Sequence, residues 1–207
     1  MLLNSSAEYQ NKPAIFVDRD GVLIEDMHYI NSPSDVRLCD GSKALFEMAE
    51  TEKIPVIIVT NQSGISRGLL TWDDYNQVTT EILRLIGPTK SLAGIYANSF
   101  LDGEEDNSWR KPGAGMLIDS AKDLHIDLSR SLMIGDRLSD LIAGSLAGVK
   151  TVIHVLTGYG RTHQNDVLMQ VENNIFHCQE SKARFRQVAS LRQIAPLISD
   201  LVKSEES

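Results

Sequence analysis

Ile54-Pro55-Val56-Ile57-Ile58-Val59-Thr60 is apolar on both of its strand faces, and a strand of that kind is stable only where something covers it above and below. Helices packed on both sides of a parallel sheet give that cover, so this one stretch already points to an α/β architecture. Ala14-Ile15-Phe16-Val17, Leu132-Met133-Ile134 and the run from Thr151 to Leu156 make the same demand. Between the strands, apolar residues recur at helical spacing. Ala44, Leu45, Met48 and Ala49 follow Asp40, which reads as an N-cap. Thr71-Trp72-Asp73-Asp74 reads as a capping box opening a helix that closes near Gly87-Pro88. Met116, Leu117, Ala121 and Leu124 share one side of a helix from Gly113 to His125, and Asp140 to Ala147 forms another, stopped by Gly148. Ile95 to Phe100 reads as a further strand. The tail predicts a strand pair, Asn174 to Cys178 with Phe185 to Ala189, and a last helix with Ser190 and Gln193 as its capping box. Strand and helix alternate throughout, which predicts a doubly wound parallel sheet of the α/β class.

At 207 residues the chain reads as a single domain over 1–207, with residues 1–12 a loose leader. Lys and Arg number 20 against 28 Asp and Glu, a net charge of −8. That balance argues against a partner that is a nucleic-acid backbone. Cys39 and Cys178 have no metal-ligand spacing and predict neither a disulfide framework nor a zinc cluster. The start, Met1-Leu2-Leu3-Asn4, lacks the basic and apolar regions of a signal peptide, and no run is long enough to span a membrane. A soluble protein of the cytoplasm is expected.

Four polar clusters stand at the ends of apolar elements: Asp18 and Asp20; Thr60-Asn61-Gln62-Ser63-Gly64; Arg110-Lys111; and Gly135-Asp136 with Asp140. Asp18 and Asp20 project to one side if the chain stays extended. Two such carboxylates need either a divalent cation or one protonated partner. Each cluster alone also has an ordinary reading: a polar turn after a strand, a solvated Gly-containing turn, a surface lysine before a proline, an N-cap. Together and in this order they suggest handling of a phosphate. A hydroxyl and backbone N–H groups can hold phosphoryl oxygens, a lysine can neutralise them, and three carboxylates can hold magnesium.

These four clusters resemble the four motifs of the haloacid dehalogenase superfamily, from about Ala14 to about Gly160. Within it the chain is most similar to the D-glycero-D-manno-heptose 1,7-bisphosphate phosphatases and the histidinol-phosphate phosphatases. Asp26 and Tyr29, Ile65-Ser66-Arg67-Gly68 and Thr157-Gly158 add to that similarity. The resemblance implies that Asp18 is a nucleophile forming an aspartyl-phosphate and Asp20 the general acid and base. It implies magnesium on Asp18, Asp136 and the backbone carbonyl of Asp20. Arg19, Asp26, Tyr29, Thr60, Asn61, Gln62, Ser63, Arg110, Lys111 and Arg137 become candidates for holding phosphate or the rest of the substrate. Asp140 is either a supporting acid or a helix cap.

Two features shape the expected substrate. Where many heptose bisphosphate phosphatases bind zinc, this chain has Ala97, Ser99, Asn107 and Trp109, none a good zinc ligand. No zinc is therefore expected, with the loop from about Asn98 to Trp109 held by packing of Trp109 or by little at all. The intervals between motifs are occupied by core elements, which leaves no large cap domain. The expected activity is magnesium-dependent hydrolysis of a small phosphorylated metabolite, a heptose bisphosphate first. Histidinol phosphate or another monoester is the alternative. A phosphate-binding interaction module without turnover is the alternative of another class. Oligomeric state is not legible.

Overall fold

The computed structural model describes residues 9–101, 107–194 and 197–198. Among the described residues, eight strands form one sheet: β1 (Ile15–Val17), β2 (Val56–Asn61), β3 (Leu92–Asn98), β4 (Leu132–Gly135), β5 (Thr151–Val155), β6 (Val171–Glu172), β7 (Ile175–Cys178) and β8 (Ser181–Val188). Their spatial order is β3-β2-β1-β4-β5-β8-β7-β6. The first six of these neighbours run parallel, while β7 pairs antiparallel with β8 and with β6. The order reverses direction at β1, which lies between β2 and β4. Connections leave that point to opposite sides and open a crevice at the strands' C-terminal ends.

The helices α1 (Ser42–Thr51), α2 (Ser63–Ser66), α3 (Trp72–Ile86), α4 (Gly115–Leu124), α5 (Leu138–Ala147) and α6 (Gly160–Leu168) follow the strands. Two buried layers result, and strand alternation decides membership. Ile15, Val17, Ile58 and Ile134 join Leu45, Phe46 and Ile82 on one face. Phe16, Ile57, Val59 and Met133 join Met116, Leu117 and Leu141 on the other. The fully apolar strands thus have the double cover that their composition requires. No described helix is long and apolar enough to cross a membrane.

Several local expectations need correction. The first helix is capped by Gly41, not Asp40, whose carboxylate instead pairs with Arg192 at 2.7 Å. Ser190 makes no cap bond; a short 3-10 turn, Leu191–Gln193, follows it, and the Gln193 carboxamide accepts from the Ala189 N–H. β8 begins at Ser181, four residues earlier than the expected strand, because it continues across a tight hairpin from β7. The helix α6 has no counterpart in the expected pattern, since only Gly160 and Val167 of its residues are buried and no apolar stripe marks it. The expected loose leader falls partly outside the described residues; within them, Tyr9 is buried and donates its hydroxyl to the Lys90 carbonyl at 3.3 Å. The capping box of Thr71 and Asp74 is formed in both directions.

Candidate active site

Asp18 follows β1 directly and keeps its register, its N–H donating to the Ile134 carbonyl at 3.0 Å. Its carboxylate therefore emerges between the ends of β2 and β4. Lys111 reaches it from the loop before α4. The ammonium donates to Asp18 Oδ1 at 2.5 Å and to the Val59 carbonyl at 2.8 Å, and lies 2.7 Å from Asp140 Oδ1. All three of its protons have protein acceptors, and its side chain is 2% exposed. Burial works against the charged lysine, yet Asp140 and Asp18 outweigh it and hold the ammonium firmly protonated. Asp18 feels the same competition with the other result. Burial, with Asp140 and Asp20 nearby, outweighs Lys111 and lifts its carboxyl to about 7.

Asp140 is not the N-cap of α5, a place taken by Arg137; it is the third residue of that helix and supports Lys111. Its Oδ1 meets Lys111, while its Oδ2 accepts the N–H of Arg137 at 3.0 Å at the start of α5. Asp136 completes the floor and is fully buried. Its Oδ2 accepts from the Tyr159 N–H at 2.7 Å, and its Oδ1 has no hydrogen-bond partner among the described residues. Burial, with Asp140 and Asp18 facing it, pushes its carboxyl up to about 8. Gly21 and Gly158 make this packing possible. A Cβ on either would stand 2.3 Å from Asp136 Oδ2, and both have positive φ, +85° and +50°. Below, the buried His154 ring lies 3.1 Å from the Asp136 carbonyl, with Gln187 on its other nitrogen at 3.0 Å.

Oxygens of Asp18, Asp136 and Asp140 all lie within 4.8 Å of one another. Four carboxylates, counting Asp20, face two buried cations, Lys111 and Arg19, which leaves a divalent excess of negative charge when all are ionised. The orphaned Asp136 oxygen, the oxygen-only donors and this charge fit a hard divalent cation such as magnesium. The side chain of Asp20 is outside the triangle. It is held by Arg19 at 2.9 Å and by the Gln62 amide at 2.7 Å.

The remaining candidates divide into two groups. Arg19, only 3% exposed, bonds Asp20 through Nε and Nη2 and Gln62 through Nη2, leaves Nη1 buried without a hydrogen-bond partner among the described residues, and lies over the Tyr75 ring at 5.2 Å. Gln62 also donates to Thr60 Oγ1 at 2.8 Å, so the hydroxyl proton of Thr60 is free to point into the cleft. Asn61 clasps the backbone of Lys111, donating to its carbonyl at 2.9 Å and accepting from its N–H at 3.1 Å. These groups shape the floor more than they offer contacts. Ser63, Asp26, Tyr29, Arg110 and Arg137 line a cleft of about 440 Å³ above it. Arg110 donates to the Phe100 carbonyl at 3.1 Å, and Arg137 pairs with Asp26 at 3.1 Å.

Among the lining residues that lay beyond the sequence-level reading are His28 and Tyr159. Tyr159 follows Thr157-Gly158, and the close approach of Gly158 to Asp136 brings its N–H onto that carboxylate. Part of the loop before Lys111, residues 102–106, lies outside the described residues. Trp109 at its end donates to Asp119 at 2.7 Å and packs against Tyr96 with ring centroids 5.8 Å apart.

Comparison with known proteins supplies a context for this geometry. Residues 108–175 match the HAD-hydrolase-like family model. The chain is 37% identical over 144 residues to the D-glycero-beta-D-manno-heptose-1,7-bisphosphate 7-phosphatase of Mesorhizobium japonicum, covering 66% of each protein. It is 35% identical over 162 residues to the enzyme of that name from Haemophilus ducreyi, covering 75% of this chain and 89% of the relative. Among solved structures, D,D-heptose 1,7-bisphosphate phosphatase from B. bronchiseptica, complexed with magnesium and phosphate, matches with a TM-score of 0.76 and 25% identity, over 91% of this chain and 98% of that one.

Proposed function

The chain belongs to the heptose-bisphosphate phosphatase family of haloacid dehalogenase-like hydrolases, and from that premise we propose that it removes the 7-phosphate of D-glycero-D-manno-heptose 1,7-bisphosphate. The observation that carries the reading is the buried contact of Lys111 with Asp18 at the end of β1, beside the orphaned oxygen of Asp136. Asp18 attacks the phosphorus; an Asp18–phosphorus bond forms and the bond to the sugar oxygen breaks. Asp20, aimed by Arg19 and Gln62, gives the departing oxygen its proton. In the second half, Asp20 takes a proton from water, which attacks the aspartyl-phosphate and releases inorganic phosphate.

Lys111 neutralises Asp18 throughout; a phosphoryl oxygen gains one of its protons only by displacing a protein acceptor. The Thr60 hydroxyl donates to a phosphoryl oxygen. Asp18 and Asp136, with the backbone carbonyl of Asp20, would hold magnesium, which when bound would supply positive charge to the transferring phosphoryl group. Ala97, Ser99, Asn107 and Trp109 offer no zinc site, so the enzyme works with magnesium alone. Arg110 and Arg137 face the sugar and its second phosphate. The reading includes one catalytic domain over 1–207 and a cytoplasmic setting, in keeping with the free thiols of Cys39 and Cys178.

The test is phosphate release from heptose 1,7-bisphosphate, histidinol phosphate and p-nitrophenyl phosphate, each with magnesium and after EDTA. We expect kcat/KM to favour the heptose bisphosphate by at least about tenfold. A preference for histidinol phosphate would move the substrate and keep the mechanism; no magnesium-dependent release from any of the three would overturn both.

A further inference from the structure

The rim of the cleft is bridged by a contact that the reaction does not use. His28, on the loop after β1, and Tyr159, on the loop after β5, meet with the tyrosine hydroxyl 3.0 Å from His28 Nδ1. The two loops already meet at their base, where the Thr157 hydroxyl donates to the Gly21 carbonyl at 2.6 Å, and His28 with Tyr159 extends that junction to the rim. Each end is anchored. His28 donates its N–H to Asp26 Oδ1, and Asp26 Oδ2 accepts from Arg137. The Arg137 guanidinium lies over the Tyr159 ring at 4.0 Å, within the range of a cation–π contact. The Tyr159 N–H holds Asp136, so the bridge stands directly above the proposed metal acid.

The loop reaches this position through an uncommon backbone. His28 and Tyr29 are consecutive residues at φ +52° and +53°, a region that bulky side chains seldom adopt without a surrounding reason. The turn swings His28 toward Tyr159, while the Tyr29 ring packs against Gly64 on the opposite wall. Both walls of the cleft are thereby tied to the same four-residue segment. His28 and Tyr159 line the same cleft as Asp18 and Lys111, so a leaving group on a phosphate at Asp18 shares that cleft with the bridge.

We propose that the His28–Tyr159 bridge is a specificity-determining latch that favours polyhydroxyl leaving groups, whose hydroxyls can replace its hydrogen bond, over aryl and alkyl ones, which cannot. The latch rests on the proposed phosphatase reading, and goes beyond it in assigning selection to two residues without a part in the chemistry. Its polar tips, an imidazole and a phenol, are groups that can exchange their mutual hydrogen bond for sugar hydroxyls. Compact aryl or alkyl leaving groups cannot make that exchange and leave the bridge closed.

The test is kcat/KM for a panel running from p-nitrophenyl phosphate through histidinol phosphate and glucose 6-phosphate to heptose 1,7-bisphosphate. It is run on the parent, His28→Gly, Tyr159→Phe and the double variant. Glycine suits the φ of position 28, so His28→Gly removes the bridge while easing the backbone. Each single variant is expected to reduce the ratio of best to worst substrate at least tenfold, mainly through KM. The double variant is expected to add less than twofold to either single, because one bridge is lost in all three. Unchanged ratios, or fully additive effects, would overturn the latch. A parent that disregards heptose bisphosphate, with variants that still flatten the panel, would keep the latch and lose the heptose reading.

Discussion

The floor of the cleft and its rim are built from opposite materials. On the floor, Asp18 and Asp136 are buried side chains directly after β1 and β4, where sheet pairing makes the backbone rigid, and Lys111 and Asp140 are buried with them. On the rim, Asp26, His28, Arg137 and Tyr159 are partly or fully exposed and are held by one another. A charged pair in the floor has no water to fall back on, whereas one on the rim does. Errors in the floor should therefore cost both stability and turnover, while errors on the rim should alter choice among substrates.

The largest effect is expected from Asp18→Asn, which keeps the volume and removes the nucleophile. Turnover should fall by at least about a thousandfold with the far-UV spectrum unchanged; activity within tenfold of the parent would remove Asp18 from its role. Next comes Lys111→Met, which strips the counter-charge from two buried carboxylates. Loss of about 3–5 kcal/mol in urea unfolding is expected, and a variant as stable as the parent would place Lys111 with the rim, not the floor.

The sign of a pH effect sharpens the contrast further. Asp18 and Asp136 are lifted from the usual 3.8 to about 7 and about 8. Metal-free folded protein therefore holds protons that the unfolded chain releases, and its stability should decline as pH rises from about 4 to about 8. Magnesium takes the place of those protons. It should thus raise the melting temperature more at pH 8 than at pH 6, and an equal rise at both would count against these acids as ligands. The smallest effect is expected from Asp26→Asn, which releases Arg137 on the rim. Stability should change by less than about 1 kcal/mol, with KM for the preferred substrate rising several-fold; a stability loss as large as that of Lys111→Met would dissolve the distinction.

The floor was the part that could be read in advance, and the reason is local. Asp18, Thr60 and Asp136 each follow a run of apolar residues, so strand and acid come as one contiguous phrase. The rim is a meeting of segments over a hundred residues apart, and nothing near His28 announces Tyr159. Asp40 and Ser190 looked like caps because their residue type suits the role. Tertiary partners took over: Arg192 drew away the carboxylate of Asp40, and the chain after Ser190 closed into a 3-10 turn. The helix α6 was invisible for a related reason. It covers its neighbours with little more than Val167, and a nearly polar sequence gives no period to detect.

Gly21 and Gly158, which touch Asp136 with nothing but hydrogens, have a consequence for how variation along this chain should be interpreted. They carry no reacting group, yet a methyl at either would collide with a carboxylate oxygen 2.3 Å away, and each also demands a left-handed backbone. In a saturation-mutagenesis experiment selected on turnover, both positions should behave as though they were part of the chemistry, with alanine as ill tolerated as tryptophan. The footprint of the site in a mutational landscape would then be wider than its list of functional groups, because empty volume beside Asp136 is itself a heritable requirement.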